Sequence, residues 1–279
     1  MKRKLFGAVA ALFMAAATLG IAGQAVALPE APEPAPPVTG IPDPCAASHP
    51  WPGDDSSMDE IKAGITKNFG FQLEGALWTE SNRESVKILW QTLDAVGCTT
   101  FVGDLQDKVD GKVGLNAANI SGFAWGDWSL TRGNYVTLDF SKFQQAIDSG
   151  DKGRLTRLIA HELTHVLNSD RHSEPAYWAE FKSMHAKRGA FSDYAAGSVT
   201  ETFADTVGYY VGRCAMDNPY DTGNHDAYYE FVKKEVFDGK EFGPEPGVAP
   251  ECDEPSAPAA APDSEMHENT SWVDAVSGE

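Results

Sequence analysis

The run Arg154-Leu155-Thr156-Arg157-Leu158-Ile159-Ala160-His161-Glu162-Leu163-Thr164-His165-Val166-Leu167-Asn168 decides how the rest of the chain is read. Leu155, Leu158, Ile159, Leu163, Val166 and Leu167 recur at three- and four-residue spacing, the period of a helix with an apolar face. Asp151-Lys152-Gly153 just ahead offers a start, so the spacing predicts a helix over about residues 154–168. On such a helix His161 and His165 stand one turn apart, with Cβ atoms about 5–6 Å from each other, so both imidazoles reach one point from the same face. Glu162 lies about 100° further round, beside that point rather than on it.

Two histidines flanking a glutamate as His161-Glu162-Leu163-Thr164-His165 form an H-E-x-x-H pattern. Both imidazoles can bind one zinc ion, while Glu162 is placed to take a proton from a zinc-bound water. Such a site needs a third ligand. A metzincin would carry Gly at 168 and His at 171, but this chain has Asn168 and Arg171, with His172 one residue out of register. The segment Thr200-Glu201-Thr202-Phe203-Ala204-Asp205 fits better. It offers Glu201 as a ligand on a second helix, and one turn later Asp205, able to accept a hydrogen bond from the free N–H of a ligand histidine.

With six residues separating Tyr194 from Glu201, and Phe203-Ala204-Asp205 following, the sequence resembles the gluzincin zinc peptidases and is closest to the catalytic domain of anthrax lethal factor-like peptidases. The resemblance covers roughly residues 130–212. It implies a zincin-like fold, with His161, His165 and Glu201 binding zinc, Glu162 as general base and Asp205 behind a ligand histidine. It also implies that Tyr194 turns its hydroxyl toward the developing oxyanion. The toxin domains of that family have no counterpart here, so its substrates do not carry over.

The surroundings are read from composition. The 279 residues carry 22 Lys and Arg against 41 Asp and Glu, a formal charge of -19, which argues against nucleic acid as a partner. Met1, Lys2, Arg3 and Lys4 precede an uncharged apolar stretch ending near Ala25-Val26-Ala27, so residues 1–27 read as a secretory signal peptide. The expected product is a secreted, extracellular monomer without a membrane segment, acting on protein or peptide substrates. Export makes Cys45, Cys98, Cys214 and Cys252 candidates for two disulfides; the favoured pairing, Cys45 with Cys98 and Cys214 with Cys252, staples each flank to the core.

Residues 28–56, with nine prolines, read as a Pro-rich linker or propeptide, and residues 244–279, acidic and without Lys or Arg, as a flexible tail. Between them residues 57–243 form one expected domain. Helices are expected over residues 80–96, 175–188 with Pro175 in the first turn, 199–212 and 227–236. Tyr135 to Phe140 alternates with period two and reads as a strand. Strands ahead of helices give an α+β class, a small sheet with an edge strand followed by the active-site helix and a helical C-terminal half. The strand from Tyr135 is the expected rail for extended substrate.

His172, His185 and His225 are weaker candidates for an extra transition-state donor, and Trp125, Trp128 and Trp178 for a cleft wall. Two rivals stay open: a zinc-binding module without catalysis, and a zinc amidohydrolase acting on cell-wall peptides.

Overall fold

The computed structural model describes residues 48–109, 113–128 and 134–252. The expected signal peptide, most of the Pro-rich and tail segments, and Cys45 lie outside the described residues. Along the chain the elements are α1 (Met58–Phe69), β1 (Gln72–Glu74), α2 (Arg83–Val96), α3 (Phe101–Lys108), β2 (Gly114–Ala117), β3 (Gly126–Asp127) and β4 (Tyr135–Leu138). They continue with α4 (Phe140–Asp148), α5 (Lys152–Leu167), α6 (Ala176–Arg188), α7 (Val199–Val211) and α8 (Asp226–Glu235). The class is mixed α+β. Three helices precede or interrupt the first strands, so the simple order of strands then helices does not hold.

The sheet runs β1-β2-β4-β3, with β1, β2 and β4 parallel and β3 antiparallel to β4. Leu115 and Ala117 pair with Val136 and Leu138, and all four are buried. Tyr135 to Phe140 is therefore an interior strand, and the rail expectation is corrected: the edge next to β4 is β3. Two residues are too short to show a period in sequence, which is why β3 escaped notice. Phe140 also leaves the strand. The Asp139 side chain accepts from the Ser141 N–H and starts α4 there.

α5 is the central helix. Asp151 caps it by accepting from the Arg154 N–H, and burial is nearly complete around its circumference, polar residues included. Leu155, Ile159 and Leu163 are each 0–1% exposed, worth about 1.5–3 kcal/mol apiece in removed apolar surface. Helices α2, α3 and α4 and strands β3 and β4 pack around it, and α7 crosses it most extensively.

Glycines allow that crossing. A methyl group on Gly208 would lie 2.8 Å from the Arg157 carbonyl oxygen, and one on Gly212 2.7 Å from the Arg157 backbone nitrogen. One on Gly153 would overlap the Cys214 carbonyl at 2.2 Å. Bare backbone at these points lets α5 touch α7 and the segment that follows it. Behind α7, Phe203 meets Phe181 with ring centroids 4.9 Å apart, and Tyr210 stacks on Phe237 at 5.4 Å, anchoring the helical half.

Both flanks contribute to packing. Trp90 Nε1 donates to the His49 carbonyl at 2.6 Å, and the His49 N–H donates to Asp94 at 2.8 Å. At the other end buried Arg213 donates to the Val248 carbonyl at 3.1 Å, and Cys214 is bonded to Cys252. Cys98 is also disulfide-bonded. Pro175 stands just ahead of the first turn of α6 rather than inside it. No described helix is long and apolar enough to cross a membrane.

Candidate metal centre

His161 and His165 project from the second half of α5, and Glu201 from the first turn of α7, whose start is set by Ser198 accepting from the Glu201 N–H at 3.2 Å. A carboxylate there also gains from the positive end of the helix dipole. Because the two helices cross closely, the side chains meet. His161 Nε2 lies 3.1 Å from His165 Nε2 and 3.2 Å from Glu201 Oε2, and His165 Nε2 lies 3.6 Å from Glu201 Oε1.

These separations fit a shared cation. Nitrogen and oxygen ligands about 2.0–2.2 Å from a tetrahedral ion lie roughly 3.4 Å from one another. The donor set points the same way. His161 gives its Nδ1 to Asp205 Oδ1 at 2.8 Å, which places the proton on Nδ1 and leaves Nε2 as a lone pair. Buried Glu201 Oε2 has no hydrogen-bond partner of good geometry. Lone pairs facing one point need a positive charge between them. The three residues can hold a metal ion.

Electrostatics agree. Without a cation, burial would depress the His161 pKa, yet the Asp205 and Glu201 carboxylates overcome that and push it up to about 10. Against burial, which raises it, His165 and His161 hold the Glu201 carboxyl well below the ordinary range.

Asp205 is fully buried and does three things at once. It orients His161, accepts from Arg157 Nη2 at 2.5 Å, and accepts from Ser192 Oγ. Arg157 stands one turn before His161 on α5, its guanidinium over the Tyr209 ring at 4.6 Å and the Tyr194 ring at 5.9 Å. Burial acts against the Asp205 charge, and Arg157 followed by His161 holds its pKa down nonetheless. Three carboxylates surround the centre: Glu162, Glu201 and Asp205. A divalent cation would offset two of those charges and Arg157 the third.

Glu162 is buried against the sheet edge. A methyl group on Gly126 of β3 would sit 2.5 Å from Glu162 Cγ and Oε1, so the carboxylate fits only because residue 126 lacks a side chain. Burial raises the Glu162 pKa; His161 and His165 oppose the rise, and Glu201 and Asp127 add to it. Two residues on, Trp128 lies parallel to the His165 ring at 6.5 Å.

Tyr194 lies on the connection between α6 and α7, its ring edge-on to His161 at 5.9 Å. The connection is pinned on both sides of it: Ser192 binds Asp205, and Thr202 Oγ1 donates to the Ala195 carbonyl at 3.3 Å. The residue is 49% exposed. Lost hydration, then the charges of Glu201, Glu162 and Asp205, push its hydroxyl pKa up, with Arg157 opposing, and keep it a donor.

The structure thus gathers His161, Glu162, His165, Tyr194, Glu201 and Asp205 around one point. Of the weaker candidates, Trp128 belongs beside them. Trp178 is core, stacked on Phe181 at 5.9 Å, and His225 packs on Phe191 at 4.8 Å. His172 is exposed on the turn after α5, and His185 lies on α6. Arg157, Ser192 and Gly126 were not singled out from the sequence. Arg157 had a signal, since 157, 161 and 165 form one line along the helix.

No family model matches the chain, and no solved structure matches it. Two curated proteins are similar to part of it, the multidrug resistance ABC transporter ATP-binding and permease proteins of Lactococcus lactis subsp. cremoris (strain MG1363) and subsp. lactis (strain IL1403). Each is 31% identical over 132 residues, covering 42% of this chain. This chain spans 21% of the length of either relative, and that likeness assigns it no family.

Proposed function

We propose that the chain is a secreted zinc-dependent endopeptidase of the gluzincin type, built on a zincin-like domain and acting on protein or peptide substrates. One observation carries the reading: His161, His165 and Glu201 converge, with Asp205 behind His161 and Glu162 alongside. Two imidazoles and one carboxylate favour zinc over calcium or magnesium, which take oxygen ligands. Zinc held by three protein ligands keeps a position open, lowers the pKa of a water there to about 7 and polarises a carbonyl.

The chain's own residues do the rest. Glu162, whose pKa is raised by burial, takes the proton of the attacking water and passes it to the leaving amine. Tyr194 donates to the oxygen on which negative charge develops. Asp205, held by Arg157 and Ser192, keeps His161 in one tautomer. The Trp125 carbonyl pairs with the Asp139 N–H, so alternation along β3 turns the Gly126 peptide groups away from β4. An extended substrate adds to that open edge, beside Glu162.

Nucleotide binding does not transfer from the names of the Lactococcus relatives. The two Gly-Lys pairs here, Gly111-Lys112 and Gly239-Lys240, run into Val113 and Glu241, where a P-loop needs Ser or Thr.

The test is metal quantification paired with a peptide-library digest of wild type and Glu162→Gln. Both proteins should hold about one equivalent of zinc, with hydrolysis lost only in the variant. Equal cutting by the two, or purified protein without metal, overturns the reading. Zinc without hydrolysis of any peptide, cell-wall peptides included, leaves a binding module. Export is tested separately, by a mature N-terminus at Leu28.

A further inference from the structure

Ahead of β3 the chain makes a loop whose own side chains bury little: Asn119, Ser121, Gly122 and Phe123 are exposed. Something other than apolar packing must hold it. Lys142, in the first turn of α4, extends into the loop and donates to three backbone carbonyls, Ile120 at 2.7 Å, Gly122 at 2.8 Å and Ala124 at 2.7 Å. An ammonium has three donors, and all three are used. The carboxylate of Asp139, 1% exposed, lies 3.6 Å away and accepts from the Ile120 N–H at 2.9 Å. The Asp139 N–H donates to the Trp125 carbonyl at 2.8 Å, closing the far end.

Carbonyls of alternate residues turned toward one point beside a carboxylate are the surroundings a bound hard cation receives in a protein loop. Here the positive charge is covalently attached. Gly122, at φ 81°, supplies the bend that lets its carbonyl join the other two. Two residues beyond Ala124 stands Gly126, whose lack of a side chain makes room for the Glu162 carboxylate.

We propose that Lys142 is a positioning residue: its ammonium is a built-in cation that organises residues 119–125 and thereby sets β3 against Glu162. Its effect on hydrolysis rests on the peptidase reading; its effect on the loop does not.

The first test needs no variant. Under limiting amine acylation of wild-type protein, Lys142 should react far more slowly than Lys234, whose side chain is 72% exposed. Equal rates overturn the proposal. The second compares amide exchange. Lys142→Met, which keeps most of the stem and removes the charge, should exchange residues 120–127 about 10- to 100-fold faster while zinc content stays at the wild-type level. Unchanged exchange there overturns it.

In Lys142→Ala, propylammonium should slow that exchange again and raise kcat, rescue that a general packing defect would not show. The same cation should do nothing for Lys142→Met, where the stem fills the path. If exchange follows this pattern while wild-type protein hydrolyses no peptide, the loop assignment stands and the peptidase reading falls.

Discussion

Gly126 and Glu162 come from elements that only the tertiary fold brings together, and a methyl group on the first would lie 2.5 Å from the carboxylate oxygen of the second. What would have to move is the Glu162 side chain from Cγ outward, not backbone. Gly126→Ala should therefore cost little stability and displace the proposed base. The expected result is hydrolysis down about 100-fold, the scale of a 1 Å misplacement, with zinc content and unfolding midpoint close to wild type. Full activity in this variant would show that Glu162 works from another position.

Asp205→Asn separates orientation from coordination. The amide keeps the shape but removes the charge facing buried Arg157 and weakens the hold on His161. Zinc affinity, measured by chelator competition, should fall about 10- to 100-fold. Denaturant unfolding should show a loss of roughly 3–5 kcal/mol, the cost of leaving one member of a buried ion pair alone. An affinity equal to wild type would rule out the positioning role.

Tyr194→Phe keeps the ring beside His161 and Arg157 and removes only the hydroxyl. If that hydroxyl meets charge only in the transition state, kcat should drop about 100- to 1000-fold while KM and zinc content hold. A rise in KM with kcat untouched would assign Tyr194 to substrate binding instead.

Removing metal should lower stability without unfolding the protein, because α5 and the aromatic packing behind α7 are buried independently of the centre. A ligand that binds only the folded state at 1,000 times its dissociation constant adds about 4 kcal/mol. Chelation should thus lower the melting temperature by roughly 10 °C for a domain this size, and zinc should restore it. No change in melting on chelation would mean that no metal was held.

Parts of the site were legible without coordinates because they are local. His161, Glu162 and His165 follow from helical period, and Asp151-Lys152-Gly153 marks the start of α5, which begins at Lys152, two residues earlier than the spacing alone gives. Glu201 and Asp205 had one readable half: four-residue spacing puts both on one face of α7. Whether that face meets His161 was not in the spacing. It depends on Gly208 and Gly212, which allow helix contact so close that a methyl group would touch Arg157. Arg157 is a buried counter-charge only because α7 covers it and brings Asp205 to its guanidinium.

The sheet shows the same division more sharply. Period-two alternation identified the strand beginning at Tyr135, since side chains of a strand alternate whatever its neighbours. Its place inside the sheet, and the role of β3 as the edge, were decided by hydrogen bonds to segments far away in sequence, which no local pattern encodes. The helix bearing both histidines was therefore determined by the sequence on its own, through repeats that one turn can read. The approach of Glu201 to the two histidines, the neutralising Arg157 and the glycine beside Glu162 were decided only in tertiary structure, because each depends on how closely two distant backbones approach.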